Sequence, residues 1–431
     1  MIIMPHWPVY LGPNIDASKS LERVIEILYL LGNPNLKLKN VIHITGTNGK
    51  GSVANYIYNI LRKHKLSVGL YTSPHIYYSN ERIITNDKEI DDNSFRYHID
   101  RVRFVCEKEN IVPSIFEATT IAAIDYFSSQ NLDFNVIEVG MGGRNDATNV
   151  FGDNKIASVF TPIDVDHVKF LGNTPIENAI EKSFIIRANK NVIIGKQQFD
   201  VQQFLCNVAK NLNCNIVSDE VDYITEFLND GKFNIKIDNK IEKYEPPKLL
   251  GKHQIENASL AIATIATILP NYQKNYIQDG ILATKWRVRL EIVDRKNSLY
   301  QYFGKNSEII IDGAHNIHGA RALNKFIADK ISENNMIENV LVISRTAGAD
   351  NYSFAKEFIK NVKYIIATQG QMESFPESAE KIQQETIKSG IECDKSESLD
   401  GAMNLISKKY SNNIRVIICG SLYLAREVKF Y

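Results

Sequence analysis

VIHITGTNGKGSVANYI, residues 41–57, decides how the rest of the chain reads. A short run of β-branched residues makes a buried strand, a loop with Gly46, Gly49, Gly51 and Lys50 follows, and apolar residues then recur at helical spacing. A strand that passes into a helix through glycines is the setting a phosphate site needs. Glycines let backbone N–H groups approach phosphate oxygens, the helix N-terminus adds its dipole, and Lys50 supplies a point charge. Thr47, Asn48, Gly49, Lys50, Gly51 and Ser52 are therefore the candidate phosphate-binding residues. The spacing is not that of Walker A: only Thr47 and Asn48 separate Gly46 from Gly49-Lys50.

The same strand–helix rhythm continues on both sides. SVGLYTS ends at Ser73-Pro74, and FNVIEVGMGG and IASVFTPID are short β-branched runs closed by small residues, as buried parallel strands are. FEATTIAAIDYFSSQ between them reads as helix. Ahead of the loop, Leu21, Val24, Ile25, Ile27 and Leu28 mark a helix capped by Ser18 or Ser20 and stopped at Gly32-Asn33-Pro34. FNIKID and KIEKYEP alternate around Asn239 and suggest a small antiparallel hairpin. After HQIENASLAIATIATIL, another helix, the polar span DRKNSLYQYFGKNSE suggests a boundary. The alternation then restarts with SEIIIDGAHN, NVLVISR, VKYIIATQ and IRVIICGSLYLA. The expected fold is α/β: a P-loop ATPase-type doubly wound sheet domain over residues 1–295, then a smaller Rossmann-like α/β domain over 296–431.

Composition narrows the function classes. Fifty basic residues balance fifty acidic ones, which gives no footprint for DNA or RNA. Five cysteines without a CxxC pair argue against a disulfide framework or zinc knuckle and for a reducing cytoplasm. The N-terminal stretch lacks the pattern of a signal peptide, and no apolar run is long enough for a membrane helix. A cytoplasmic monomer acting on small molecules, without nucleic-acid or membrane partners, is the expectation.

TGTNGKGS resembles the loop of the Mur ligase superfamily, and its Gly51-Ser52 ending resembles the folate branch, the folylpolyglutamate and dihydrofolate synthases. Other segments in family order carry the resemblance across nearly the whole chain. They are YTSPHIYYSNERI (71–83), VIEVGMGGRNDATNV (136–150), DVDHVKF (164–170), GKHQIENASLAIA (251–263), WRVRLEIV (286–293), IIIDGAHNIHGARAL (309–323) and GSLYL (420–424). The resemblance implies two Mg²⁺ ions held by Ser73, Glu138, His167 and a carbamylated Lys182. Glu138 also suits a metal on its own terms, as a carboxylate at a strand end beside the loop. By resemblance too, Asn257 lies against adenine, Arg289 contacts phosphate, and Asp312 and His315 face the nucleotide and an incoming glutamate. Several positions depart from the family pattern: Asn145 for leucine, Arg287 and Val288 for Pro-Gly, Ile317 for proline, and Ala349 for lysine.

The activity so implied is ATP-dependent ligation of L-glutamate to dihydropteroate or to folate polyglutamates. Lys50, His167, Lys182, Arg289 and His315 are the catalytic candidates, and ATP and Mg²⁺ the cofactors. Two alternatives compete. A UDP-muramyl amino-acid ligase usually reads GTNGKT and carries a preceding UDP-binding domain, for which a loop starting at residue 46 leaves no room. A non-ligase P-loop switch would leave the second domain unexplained, and the chain shows no NKxD base-reading motif.

Overall fold

Val41–Thr45 (β1) is buried at every position: parallel strands flank it on both edges, and parallel sheets of this kind have both faces covered by helices. The computed structural model of the chain describes residues 2, 4–8, 16–370, 375–410 and 412–428. The remaining strands around β1 are Val68–Tyr71 (β2), Ile83–Thr85 (β3), Lys88–Glu89 (β4), Phe134–Glu138 (β5), Lys155–Phe160 (β6), Asn191–Ile194 (β7) and Asn215–Ser218 (β8). They form one eight-stranded sheet in the order β4-β3-β2-β5-β1-β6-β7-β8. All pairings are parallel except those of β3, which lies antiparallel to both β2 and β4. The strand order reverses around β1, and the phosphate-type loop leaves its carboxyl end, where such sheets bind ligands.

Tyr223–Phe227 (β9), Phe233–Ile237 (β10) and Lys240–Tyr244 (β11) form a separate antiparallel sheet. The hairpin read from the sequence is thus its second half, turning at Asp238-Asn239. One local expectation fails. The helix Ser20–Leu30 begins with Ser20 inside it and Lys19 at the N-cap, where no side-chain cap bond forms. Ser18 instead gives its hydroxyl to Asp16. Ile25 points outward, while Val24, Ile27 and Leu28 enter the core.

The second sheet has six strands: Glu291–Ile292 (β12), Glu308–Ile311 (β13), Glu338–Ile343 (β14), Tyr364–Thr368 (β15), Glu392–Ser396 (β16) and Ile414–Cys419 (β17), in the order β12-β13-β17-β14-β15-β16. Only β12 is antiparallel. The chain divides into two compact units, one comprising 1–248 and 254–285, the other 249–253 and 286–431. The second therefore starts earlier than residue 296 and includes a short segment before the first is complete. Each unit has its own apolar core. In the first, Val24, Ile99, Ile121 and Phe127 pack together; in the second, Leu290, Leu323, Leu341 and Ile417 do so. All five cysteines are free thiols, and among the described residues no helix is long and apolar enough to cross a membrane.

Candidate active site

The loop after β1 takes a shape only glycine permits. Gly49 caps the helix Lys50–Lys63 with φ +90°, and a Cβ there would stand 2.6 Å from Asn257 Oδ1. Thr47 straps the loop to the chain beyond β6: its hydroxyl donates to the Asp164 carbonyl at 2.8 Å and accepts the Asp164 N–H at 3.0 Å. Lys50 Nζ arches over the loop to the carbonyls of Gly46 and Thr47, both at 3.2 Å. Asn48 is partly exposed, whereas Gly51 and Ser52 are buried in the first helical turn. Ser52 Oγ accepts from Gln254 Nε2 at 3.4 Å, and Gln254 Oε1 accepts from Asn257 Nδ2 at 3.3 Å. Thr47 to Ser52 and Asn257 therefore occupy one place.

Two further candidates lie at the same edge. Ile44 and Glu138 are register partners of β1 and β5, so Glu138 ends its strand level with the start of the loop. It is buried, and its Oε2 accepts the Ser73 N–H at 2.8 Å. Lys182, near the end of the helix Pro175–Ser183, is also buried. Burial, with Lys50 adding to it, pulls its ammonium down to about 7, while Asp166 and Asp146 act in the opposite sense. Burial thus favours the neutral amine over the ammonium.

His167 directly follows Asp166, whose carboxylate acts on Lys182. It lies in the left-handed region, at φ +48°, with its side chain half exposed. Its Nε2 is 4.0 Å from Asp166 Oδ2. Among the described residues no three His, Cys, Asp or Glu side chains converge as a ready-made metal centre, so Glu138, Asp166 and His167 do not form one. The donor set nonetheless suits Mg²⁺, which takes hard oxygens and is commonly held by one or two carboxylates together with substrate phosphates. Glu138 and the Ser73 hydroxyl fit that requirement, and Lys182 fits only once its amine has become an oxygen donor.

In the second unit, Asp312 is buried immediately after β13. It accepts the N–H groups of Leu290 and Ala314, both at 2.9 Å. Burial raises its pKa, and Arg289 is the largest influence lowering it. Arg289 Nη1 donates to the Val288 carbonyl at 2.8 Å. Val288 stands where the family usually has glycine, and its backbone keeps the glycine-like conformation, φ +59°, at a cost of roughly 1–3 kcal/mol for a β-branched residue. His315 donates from Nδ1 to the Gly313 carbonyl at 2.8 Å.

Sequence reading missed Arg345. Its guanidinium is buried, donates to the His315 carbonyl at 2.5 Å and to Asn351 Oδ1 at 3.2 Å, and lies 4.1 Å over the Phe354 ring. A cation directly after the apolar run VLVIS was the available signal. Asp350 proves to be a helix cap, accepting the Ser353 N–H at 2.9 Å.

Sequence and fold comparisons place this geometry. Residues 44–265 match the Mur ligase middle domain and 295–430 the dihydrofolate synthetase C-terminal domain. The class is thus that of the Mur ligases. A dihydrofolate synthase/folylpolyglutamate synthase of Haemophilus influenzae is 30% identical over 331 residues, 75% of this chain and 70% of that protein. Among solved structures, Mycobacterium tuberculosis folylpolyglutamate synthase complexed with ADP and AMPPCP is 25% identical and covers 95% of this chain and 94% of its own, with a TM-score of 0.83. The bifunctional synthase of Yersinia pestis complexed with AMPPNP and Mn ion shares the fold at 22% identity and a TM-score of 0.83, over 97% and 94% of the two chains. The chain belongs to the dihydrofolate synthase/folylpolyglutamate synthase family.

Proposed function

We propose that this chain is an ATP-dependent ligase that joins L-glutamate to dihydropteroate, to folate polyglutamates, or to both. The observation that carries the reading is a glycine loop at the carboxyl end of β1, with the buried Glu138 level with its start and held by the Ser73 N–H, and the buried Lys182 close enough to Lys50 for the two charges to repel. ATP analogues and a divalent ion in the related structures support ATP and a divalent metal here.

A carboxylate is a poor acyl donor, because an oxide is a poor leaving group. The pteroate or folate carboxylate oxygen therefore takes the γ-phosphoryl group of ATP, with ADP leaving. The glutamate amine attacks the resulting acyl phosphate, phosphate departs, and an amide remains. N–H groups at the start of the helix Lys50–Lys63 and the Lys50 ammonium hold the phosphates. Ser73, Glu138, His167 and Lys182, carbamylated by CO₂ on its neutral amine, would hold two Mg²⁺, whose chemistry is to neutralise phosphate charge and orient the acceptor carboxylate. Asn257, beside Gly49, contacts the adenine. Arg289 steadies phosphate, Asp312 holds the turn that bears it, and His315 faces the incoming glutamate, whose ammonium must lose a proton before attack. The earlier unit activates the acid and the later one brings glutamate. The five free thiols support a cytoplasmic location, and the balanced charge supports small-molecule substrates.

Phosphate release and product mass, measured with ATP, Mg²⁺ and glutamate, test this when dihydropteroate and tetrahydrofolate are offered in parallel. Amide formed with either acceptor is expected. Hydrolysis indifferent to the acceptor, or stimulated only by a UDP-muramyl compound, would overturn it.

A further inference from the structure

Four buried side chains that no step above uses are joined in one line of hydrogen bonds. Lys155 Nζ reaches His43 Nδ1 at 3.0 Å and the Ile185 carbonyl at 2.7 Å. His43 Nε2 reaches Thr148 Oγ1 at 2.8 Å, and the Thr148 hydroxyl donates to Asp146 Oδ1 at 2.5 Å. Asp146 also accepts the N–H groups of Met141 at 2.8 Å and Thr148 at 3.0 Å. Lys155, His43 and Thr148 are wholly buried and Asp146 is 6% exposed. The Thr148 hydroxyl proton goes to Asp146, so Thr148 Oγ1 accepts from His43 Nε2–H, Nδ1 is left to accept from Lys155, and the line runs one way to the carboxylate. Burial, then Lys155 and Arg187, hold His43 well below its ordinary pKa, which keeps the ring neutral.

The line touches three segments of the candidate site. His43 lies on β1, whose last residue, Thr45, donates its hydroxyl to the Gly142 carbonyl at 2.9 Å. Asp146 grips Met141, in the turn that follows Glu138. Gly143 in that turn packs so closely on the next helix that a Cβ would stand 2.8 Å from the Glu181 carbonyl and 2.9 Å from that of Lys182. Ile185, held by Lys155, gives its N–H to the Lys182 carbonyl at 3.3 Å. Burying a lysine and an aspartate joined only through neutral groups is expensive, and apolar replacements often hold a fold as well. Directional bonds do what apolar packing does not: they set angle and spacing between segments.

We propose that Lys155, His43, Thr148 and Asp146 are positioning residues that fix the phosphate-loop strand, the turn after Glu138 and the end of the Lys182 helix in one register, so that loosening a link slows the phosphoryl and acyl transfers more than it weakens nucleotide binding. The proposal rests on the ligase reading above. The test compares full-length Thr148→Val, Thr148→Ser and Lys155→Met with the unaltered chain. Steady-state ligation, binding of a fluorescent ADP and amide hydrogen exchange by mass spectrometry are measured for each. Thr148→Val and Lys155→Met are expected to lower kcat about tenfold or more while the ADP Kd moves by less than about threefold. Thr148→Ser, which keeps the hydroxyl, restores most of kcat. Exchange across residues 139–148 speeds up in the first two variants and not in β13 or β17. Should Thr148→Val fail to fold, Lys155→Met carries the same comparison. Unchanged kcat and exchange in Lys155→Met, a loss confined to nucleotide affinity, or an equal loss in Thr148→Ser would overturn the proposal. An unaltered chain that binds ADP yet forms no amide sinks the ligase reading instead. The exchange data then decide the network alone, faster exchange over 139–148 supporting it and no change refuting it.

Discussion

The Ser73 backbone N–H and Glu138 Oε2 meet at 2.8 Å, so the end of β2 orients the carboxylate that ends β5. Glu138→Gln keeps an acceptor for that N–H and removes only the charge. Ligation is expected to fall by ~100-fold or more, as when a phosphate-side charge is lost. The thermal unfolding midpoint should stay within a few degrees. Phosphate-release kinetics and circular dichroism check the two halves; full activity would remove Glu138 from the metal site.

Lys182 is buried with its pKa pulled down to about 7. The folded state then binds fewer protons than the unfolded chain between pH 7 and the ordinary lysine pKa, so its contribution to stability rises with pH across that window. The slope approaches about 1.4 kcal/mol per pH unit. Below pH 7 both states are protonated and the slope vanishes. In CO₂-free buffer, denaturant titrations of the unaltered chain and Lys182→Met should converge at high pH and separate towards pH 7, with Lys182→Met the more stable. Parallel curves would refute the depressed pKa.

Lys182→Ala tests the chemistry rather than the proton balance. Most ligase activity should disappear while the protein folds normally. A ¹³C carbamate resonance present in ¹³C-bicarbonate with the unaltered chain should be missing from the variant. Activity that survives intact would exclude Lys182 from the reaction.

Gly49→Ala places a Cβ 2.6 Å from Asn257 Oδ1 and imposes φ +90° on a residue that resists it. Fluorescent-nucleotide titration should show affinity weakened by about tenfold or more, which corresponds to roughly 1–3 kcal/mol of backbone strain. Unaltered affinity would mean that this loop does not hold the phosphates.

Asp312→Ala removes the acceptor for two buried N–H groups, those of Leu290 and Ala314. Urea unfolding should register a loss of about 1–3 kcal/mol for each group left unsatisfied. Asp312→Asn, which retains one acceptor oxygen, should lose less stability. Equal behaviour of the two variants would show that the carboxylate does not hold that turn.

Legibility from sequence followed chemistry. β1, its loop and the helix after it were readable because a buried parallel strand is apolar throughout and glycines mark close backbone approach. Glu392–Ser396, ECDKS, was not, because an edge strand needs to bury only one face and the other here is polar. Lys19 at a helix cap broke the usual preference, as the preceding turn, rather than a side chain, leads the chain in. Asn257 could be placed beside the loop only through resemblance, since 208 positions separate it from Gly49 in sequence. His43 and Lys155 went unread because a lone polar residue in a strand looks like an outward-facing one. Only the partner across 105 or 112 positions reveals otherwise.

The units' interleaving along the chain bears on how such a protein can be taken apart. Residues 249–253 belong with the later unit although 254–285 return to the earlier one. There the helix Lys274–Ala283 lies so close to Lys50–Lys63 that a Cβ on Gly280 would stand 2.6 Å from Ile60. A fragment starting at residue 296 forfeits β12 and the Leu250 contact with the later core. Neither half is a contiguous cassette. A single protease nick between 254 and 273 would leave both pieces anchored, and gene fusion or domain exchange has no one seam at which to cut.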